Sequence, residues 1–298
     1  MDSLRGKRLV IFGCGYVGSA LARSAAAAGA EVTALTRNAE QAAELAPAVA
    51  GTVVADLASR DWHARIPAEP EYVVNCTSAG GGGLEAYRRT YVDGMRSILD
   101  WAAAGGRPVG TLVYTSSTSV YPQDGGVAVD EMADTTGASA GGRILREAEQ
   151  ALERSPAAGR SFILRLAGIY GPGRHHLLDQ LRGGAGALTG GRHRLNLAHR
   201  DDIVTAILAC LTAPAGIAGG VFNVADGAPA PRDEVIRWLA VRLARPVPEF
   251  ISGAGGRRRG GEPVPDRVIN SAKLQLILGW QPRFPDFRSG YGAILGET

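Results

Sequence analysis

Three glycines near the start of the chain are spaced so that they could hold the phosphates of a dinucleotide. They belong to the run Gly13-Cys14-Gly15-Tyr16-Val17-Gly18, which follows the apolar stretch 9–12 and precedes an alanine-rich stretch typical of a helix. Gly13 would permit a tight turn, Gly15 would let the backbone approach a pyrophosphate, and Gly18 would let the helix pack closely on the strand. The first N–H groups of the helix would face the phosphates. We therefore predict a dinucleotide site that includes Tyr16 and Val17, with an ordinary strand–helix turn as the alternative.

The residues after the second predicted strand indicate which dinucleotide binds. A carboxylate at this place would accept hydrogen bonds from the adenosine ribose of NAD, but the chain has Thr36-Arg37-Asn38. A guanidinium can pair with a ribose 2′-phosphate through charge-assisted hydrogen bonds. We therefore expect NADP rather than NAD, and a solvated loop arginine is the alternative.

Residues at the ends of three further predicted strands would complete the cofactor site. Asp56 could accept a hydrogen bond from the adenine amino group, although an Asx turn is an alternative explanation for it. The fourth strand ends at the edge where ligands bind in open α/β sheets. The predicted cofactor residues at these ends are Asp56, Leu57, Asn75, Cys76, Thr77 and Thr115.

The elements that must position these residues alternate between short β-branched runs and alanine-rich helical stretches. This order predicts an α/β fold with a Rossmann-type doubly wound parallel sheet over residues 1–166. Glycine-rich loops follow, which favours a smaller C-terminal substrate-binding part over 167–298, with segments that return to the sheet. The stretch 253–261, with arginines at 257–259, is expected to be a surface loop rather than a nucleic-acid patch. The predicted strands are 7–12, 31–36, 52–55, 72–76, 111–115 and 161–166, and the predicted helices are 17–28, 39–45, 84–103, 142–154, 201–211 and 232–243.

Composition excludes several other classes of protein. The 32 basic and 29 acidic residues give a formal charge of +3, which is too small for a binder of nucleic-acid backbone. Three separated cysteines predict neither disulfides nor a metal site. No apolar run is long enough to span a membrane. We expect a cytoplasmic protein with a small-molecule substrate, no nucleic-acid or membrane partner and no metal, and the sequence leaves a homodimer open.

Several motifs, taken in order, resemble the extended short-chain dehydrogenase/reductase superfamily in its NAD-dependent epimerase/dehydratase branch. Beside the glycine run, 113–121 (VYTSSTSVY) is similar to the family's serine-bearing fifth strand. The segments 164–166, 168–174 (GIYGPGR) and 221–226 (VFNVAD) resemble its later strands and substrate loop. The resemblance implies that Ser117 holds a substrate oxygen and that Tyr170, Arg174 and His175 lie in the substrate loop.

The resemblance fails at the residues that transfer the proton. In the family a tyrosine does so, and a lysine four residues later lowers its pKa; here these positions are Gly141 and Leu145. None of the eight tyrosines has a lysine four residues on, since the only lysines are Lys7 and Lys273. Arginine cannot relay the proton because it stays charged. The chain is therefore identified as an atypical member of the superfamily.

Two hypotheses on function follow. The first is an NADP-dependent oxidoreductase or epimerase-like enzyme for a small polar substrate, in which Tyr121, four residues after Ser117, replaces the missing acid. A packing role with a satisfied hydroxyl is the alternative for Tyr121. The second hypothesis is a catalytically silent NADP-binding protein that regulates a partner.

Overall fold

The computed structural model describes residues 4–66, 69–189, 191–251 and 264–296. The arginine-rich stretch 253–261 therefore lies outside the described residues. The described helices are α1 Tyr16–Ala27, α2 Ala39–Leu45, α3 Gly83–Arg88, α4 Gly94–Ala104, α5 Ala140–Glu153, α6 His176–Arg182, α7 Arg200–Leu211, α8 Arg232–Arg242, α9 Ala272–Leu278 and α10 Phe287–Leu295. The described strands are β1 Arg8–Phe12, β2 Glu31–Thr36, β3 Gly51–Val54, β4 Tyr72–Asn75, β5 Val109–Ser117, β6 Val127–Val129, β7 Ala158–Leu166, β8 Gly168–Tyr170, β9 Ala187–Thr189, β10 Arg194–Leu195, β11 Leu197–His199, β12 Gly219–Val224, β13 Ala230–Pro231, β14 Glu249–Ile251 and β15 Arg267–Ile269.

A seven-stranded sheet forms the centre of the Rossmann-type fold. Its strand order is β12-β7-β5-β4-β1-β2-β3, and β1 pairs in parallel with both β2 and β4. The chain order reverses between β1 and β4, so the carboxyl ends of β1, β2 and β4 meet at a topological switch point. Ligands of open α/β sheets bind at such a point. The predicted doubly wound sheet is confirmed.

The apolar runs become central strands because both faces of the sheet are covered. Leu9, Val10, Ile11 and Phe12 of β1 are all buried, which is the pattern of a strand with helices on either side. Each of the six predicted strands and six predicted helices is present among the described residues. The predicted helix 84–103 is not one continuous α-helix, because a π-helical turn at Arg89–Asp93 separates α3 from α4.

The chain divides into two compact units, each assembled from three stretches of sequence. The first unit comprises Met1–Val120, Thr135–Arg165 and Ile203–Phe222. The C-terminal unit comprises Tyr121–Asp134, Leu166–Asp202 and Asn223–Thr298. Residue 166 is thus one of several points at which the chain passes from one unit to the other.

The C-terminal unit has its own apolar core, formed mainly by α6, α8 and α10. Buried side chains from each of these helices pack together, including Leu178, Leu239 and Phe287. Helix α10 begins at a capping box in which the Asp286 side chain accepts from the Ser289 N–H and the Ser289 hydroxyl oxygen accepts from the Asp286 N–H. Among the described helices, none has the length and apolar character required to cross a bilayer.

Candidate active site

The glycine run forms the turn from β1 into α1, and two of its glycines are required by close backbone contacts. Gly13 has φ +84°, and a Cβ on it would lie 2.5 Å from the Thr77 backbone. A Cβ on Gly18 would lie 2.4 Å from the Gly13 carbonyl oxygen. Larger residues would therefore push the turn away from the loop after β4 or push α1 away from the turn.

Gly15 differs from its neighbours because its missing side chain leaves exposed space. A Cβ there would meet no described atom within 4 Å. Gly15 is also the N-cap of α1 and offers no side chain to the first N–H groups of that helix. The positive end of α1 thus faces an open backbone surface, which is the arrangement that receives a pyrophosphate. These residues fit a dinucleotide.

The end of β4 forms the wall beside this turn. The buried Asn75 accepts from the Thr77 N–H (3.1 Å) and hydroxyl (2.6 Å) through its Oδ1, and the Thr115 hydroxyl donates to the Asn75 carbonyl (3.2 Å). Burial raises the pKa of the Cys76 thiol to about 12 and raises that of Cys14 as well. Both thiols therefore stay protonated and act as small packing groups.

The end of β2 places a positive charge where the adenosine ribose is expected. Thr36 is buried and its hydroxyl accepts from the Asn38 N–H, whereas Arg37 is exposed. Asn38 is the N-cap of α2, and its Oδ1 accepts from the N–H groups of Glu40 and Gln41. The Asn38 oxygen is therefore used by the helix, and its amide nitrogen is the side-chain group that could donate to a phosphate.

Asp56 is held by protein groups rather than left open toward an adenine. Its Oδ1 accepts from the Ala58 N–H in an Asx turn, and its Oδ2 accepts from Arg89 at 2.7 and 3.2 Å. Partial burial alone would raise the Asp56 pKa, but these hydrogen bonds and the charges of Arg89 and Arg37 outweigh burial and lower it. The structure favours the Asx-turn alternative for this residue.

Ser117 ends β5 and is oriented by a local turn. Its Oγ accepts from the Ser119 N–H at 3.1 Å, so its hydroxyl hydrogen is directed away from that nitrogen. The side chain is half-buried. This is a suitable geometry for donating a hydrogen bond to a carbonyl or hydroxyl oxygen.

The start of α5 contains Gly141 and Leu145, the residues that the resemblance predicts at the positions of the family's proton-transfer pair. Gly141 is half-buried in the first turn of α5 and Leu145 is buried one turn later. A Cβ on Gly142 would lie 2.6 Å from the Ser119 carbonyl oxygen, so this turn of α5 packs directly on the turn that orients Ser117. The first turn of α5 therefore lies against the turn formed by Ser117 and Ser119.

A buried ionic cluster holds the middle of α5 against the sheet. Glu149 has no exposed surface and accepts from the Ser116 hydroxyl at 2.5 Å and from Arg165 at 3.1 and 2.7 Å. Arg146 also donates to Glu149. Both carboxylate oxygens are thus satisfied, which fixes α5 relative to β5 and β7.

A family model of the NAD dependent epimerase/dehydratase family matches residues 9–225, which include the glycine turn, Ser117 and β12. The chain belongs to this family. It is 30% identical over 288 residues to protein YeeZ of Escherichia coli (strain K12), covering 94% of this chain and 97% of that relative.

Two solved structures illustrate the likeness. A protein from Methylobacillus flagellatus described as an NAD-dependent epimerase/dehydratase is 30% identical, with a TM-score of 0.74 and coverage of 98% of each chain. The Bordetella bronchiseptica enzyme WbmG, solved in complex with NAD, is 21% identical, with a TM-score of 0.80 and coverage of 98% of this chain and 93% of that one. At this identity WbmG is evidence of the shared fold alone.

Tyr121 of this epimerase/dehydratase family member is buried, so its hydroxyl is not open to a substrate. Only 1% of its surface is exposed, and its hydroxyl donates to Asn223 Oδ1 at 2.8 Å. The phenol proton is therefore committed inside the C-terminal unit. The structure supports the packing alternative and not the prediction that Tyr121 donates a proton to substrate.

The predicted substrate loop is only partly open to a ligand. Tyr170 is 3% exposed and packs on His199 and Tyr291 with ring centroids 5.2 and 4.9 Å apart, so it is a core residue of its unit. Arg174 is exposed on a tight turn closed by two backbone bonds to Gly171. His175 is half-buried, with Nδ1 2.8 Å from the Asp179 carboxylate. Arg174 and His175 remain candidates for contact with substrate.

Sequence reasoning missed a buried carboxyl group in the same unit of this family member. Asp226 is 6% exposed, and its Oδ1 accepts from the Ala228 N–H at 3.2 Å. Burial, together with the carboxylates of Asp286 and Asp202, raises the pKa of Asp226 to about 7 despite that hydrogen bond. Nothing in the sequence distinguishes this aspartate from an ordinary strand-end residue.

Proposed function

We propose that this protein is an NAD(P)-dependent oxidoreductase or epimerase/dehydratase-like enzyme that acts on a small polar substrate. The observation that carries the proposal is the open backbone surface at Gly15, at the uncapped start of α1 and at the switch point of the sheet. Membership of a family named for NAD dependence supports the same cofactor class. A bound nicotinamide would supply hydride transfer.

The chain's own residues would bind the cofactor and orient the substrate. The turn from β1 into α1 would bind the pyrophosphate, and the wall formed by Asn75 and Thr77 would limit the space beside it. Ser117 would hold the substrate oxygen with its hydroxyl hydrogen and so orient the reacting carbon.

A substrate screen tests this function directly. Purified protein with NADPH or NADP⁺ is incubated with carbonyl compounds, alcohols and nucleotide sugars while absorbance at 340 nm and product stereochemistry are followed. Turnover by the wild type that falls about 100-fold or more in Ser117→Ala, with cofactor affinity unchanged, is the expected result. Ser155→Ala, two residues beyond the end of α5, is the matched control. Turnover that survives Ser117→Ala would contradict the role given to this serine.

We further propose that the cofactor is NADP rather than NAD. Arg37 supports this, because it is an exposed guanidinium at the end of β2 and no carboxylate precedes it there. Asp56 takes its close ion pair from Arg89, which leaves Arg37 as an additional positive charge near the expected 2′-phosphate. WbmG was solved with NAD, which makes NAD the cofactor against which the preference must be measured.

Replacing Arg37 by alanine is expected to remove most of this preference. A charge-assisted pair with a phosphate corresponds to about a ten- to hundredfold difference in affinity, and the lower part of that range applies because Arg37 is exposed. Calorimetric titration of NADP⁺ and NAD⁺ into wild type, Arg37→Ala and Arg23→Ala measures it. Arg23 is an exposed arginine of α1 that donates to the Glu44 carbonyl, so it controls for loss of one positive charge. Equal wild-type affinities for the two dinucleotides would refute the proposal.

A catalytically silent NADP-binding regulator is the second candidate. The observation in its favour is that no tyrosine of the chain is followed four residues later by a lysine, and the resemblance predicts Gly141 and Leu145 at the positions of that pair. This candidate predicts tight cofactor binding with no turnover of any compound in the screen. Binding of a protein partner that depends on whether NADPH is present would support it.

A further inference from the structure

The vacant position at the start of α5 faces a tyrosine ring from a different helix. A Cβ built on Gly141 would lie 3.6 Å from Cε1 and 4.0 Å from Cζ of Tyr87, which is ordinary van der Waals contact. Cζ is the ring carbon that bears the hydroxyl. Helix α3 thus places a phenol beside the backbone position where α5 itself carries none.

Neighbouring contacts fix the ring in this position. Tyr87 packs on Tyr91, one turn later, with ring centroids 4.5 Å apart. Tyr91 is buried, and its hydroxyl accepts from the Ala79 N–H at 3.5 Å. Arg88, next to Tyr87, makes a bidentate pair with Glu147 of α5 at 2.7 and 2.6 Å. The side chain of Tyr87 is therefore held between α3 and the first turn of α5 while remaining half-exposed.

The other tyrosines are in positions that do not suit proton transfer beside Ser117. Five of them are buried, namely Tyr91, Tyr114, Tyr121, Tyr170 and Tyr291. Tyr72 begins β4 and so lies at the amino edge of the sheet, away from the switch point. Tyr16 begins α1 within the glycine turn, where the pyrophosphate is expected. Tyr87, which belongs to α3, is the half-exposed tyrosine that lies beside the start of α5.

The first turn of α5 joins Tyr87 to Ser117. The Tyr87 ring lies within contact distance of where a Gly141 Cβ would be, and the adjacent Gly142 packs on the Ser119 carbonyl of the turn that orients Ser117. The N-terminus of a 14-residue helix also carries a partial positive charge, which stabilises a phenolate nearby. This helix terminus supplies in part the positive charge that a lysine would otherwise provide.

We propose that Tyr87 is the proton-transferring residue of this protein and acts on the substrate oxygen held by Ser117. The proposal rests on the proposed function. In the reducing direction, a bound reduced nicotinamide would supply the hydride to the substrate carbonyl carbon and would itself be oxidised. The carbonyl oxygen takes the C=O electron pair and receives the proton of the Tyr87 hydroxyl, and solvent then returns a proton to the half-exposed phenolate.

Chemical labelling tests the location of Tyr87 without any substrate. Tetranitromethane is applied with and without saturating NADP⁺ or NAD⁺, and nitrated residues are quantified by peptide mass spectrometry. We expect Tyr87 to be nitrated in the free protein and to be protected at least about fivefold by the dinucleotide. Tyr72, which is also half-exposed but lies at the opposite edge of the sheet, is the matched control and should be labelled equally in both states.

Substitution tests the chemical role. In Tyr87→Phe, kcat for the compound that turns over in the screen should fall about 100-fold or more with dinucleotide affinity and thermal stability retained. Tyr72→Phe, which removes a half-exposed phenol hydroxyl at the opposite edge of the sheet, should change kcat by less than about threefold. Turnover retained in Tyr87→Phe would overturn the proposal.

These measurements separate the present proposal from the proposed function. Calorimetric binding of a dinucleotide that leaves Tyr87 nitration unchanged overturns the role of Tyr87 and leaves the cofactor site intact. Absence of binding by both dinucleotides overturns both proposals. Protection of Tyr87 supports its place at the nicotinamide even if no screened compound turns over.

Discussion

Replacing Gly15 by valine is expected to reduce dinucleotide affinity at least about 100-fold while leaving the fold intact. The two effects separate because a Cβ at Gly15 would meet no described protein atom within 4 Å. The added side chain would instead occupy the space in which a pyrophosphate approaches the start of α1. Calorimetric titration with NADP⁺ and NAD⁺, beside thermal unfolding of the same variant, measures both.

Substitutions at two further glycines distinguish a loss of cofactor binding from a loss of stability. Gly51→Val at the amino end of β3 adds the same side chain at a position that is equally open, and it should leave cofactor affinity unchanged. Gly13→Val should instead destabilise the protein, because φ is +84° there and the Thr77 backbone lies 2.5 Å from the added carbon. Unaltered cofactor affinity in folded Gly15→Val would remove the basis of the proposed function.

Replacing Glu149 by leucine is expected to lower the free energy of unfolding by about 3–5 kcal/mol. The substitution leaves the guanidinium of Arg165, which is only 3% exposed, without its carboxylate partner. Breaking a buried ion pair at one end costs this much because the remaining charge cannot be solvated. Urea unfolding followed by circular dichroism at constant pH provides the measurement.

The matched control replaces both members of the pair. Glu149→Leu combined with Arg165→Met removes the two buried charges together, so most of the lost stability should return. A double variant as unstable as the single one would mean that the cluster stabilises the protein through shape and packing rather than through paired charge. A loss below about 1 kcal/mol in Glu149→Leu would show that water reaches Arg165.

The nucleotide-binding half was predictable because its determinants are local in sequence. Gly13 and Gly18 are dictated by contacts within one turn, and buried apolar runs such as Leu9–Phe12 report directly on a strand covered on both faces. The order of strands and helices then leaves few topologies for a parallel sheet. These are reasons why the predicted doubly wound sheet agrees with the structure.

The candidate proton donor was not predictable in the same way. Spacing along the chain pointed to Tyr121, but its hydroxyl is buried against Asn223, which lies 102 residues later in sequence. The sequence did not indicate Tyr87, because the residue beside its ring, Gly141, is 54 positions later and has no side chain that a motif could reveal. Neither local periodicity nor motif spacing carries information about contacts of this kind.

The sequence by itself determined the fold class and the position of the glycine turn, because both depend on neighbouring residues. It also determined that no tyrosine is followed four residues later by a lysine, because this depends on residue identity alone. Only the tertiary structure decided which polar groups are already used by the protein. It commits Asp56 to Arg89 and Tyr121 to Asn223, and it buries Glu149 among three donors. It also brings Tyr87 to the start of α5. The physical reason is that burial and pairing depend on which distant segments pack against each other. A buried polar group forms hydrogen bonds with the partners that this packing places beside it.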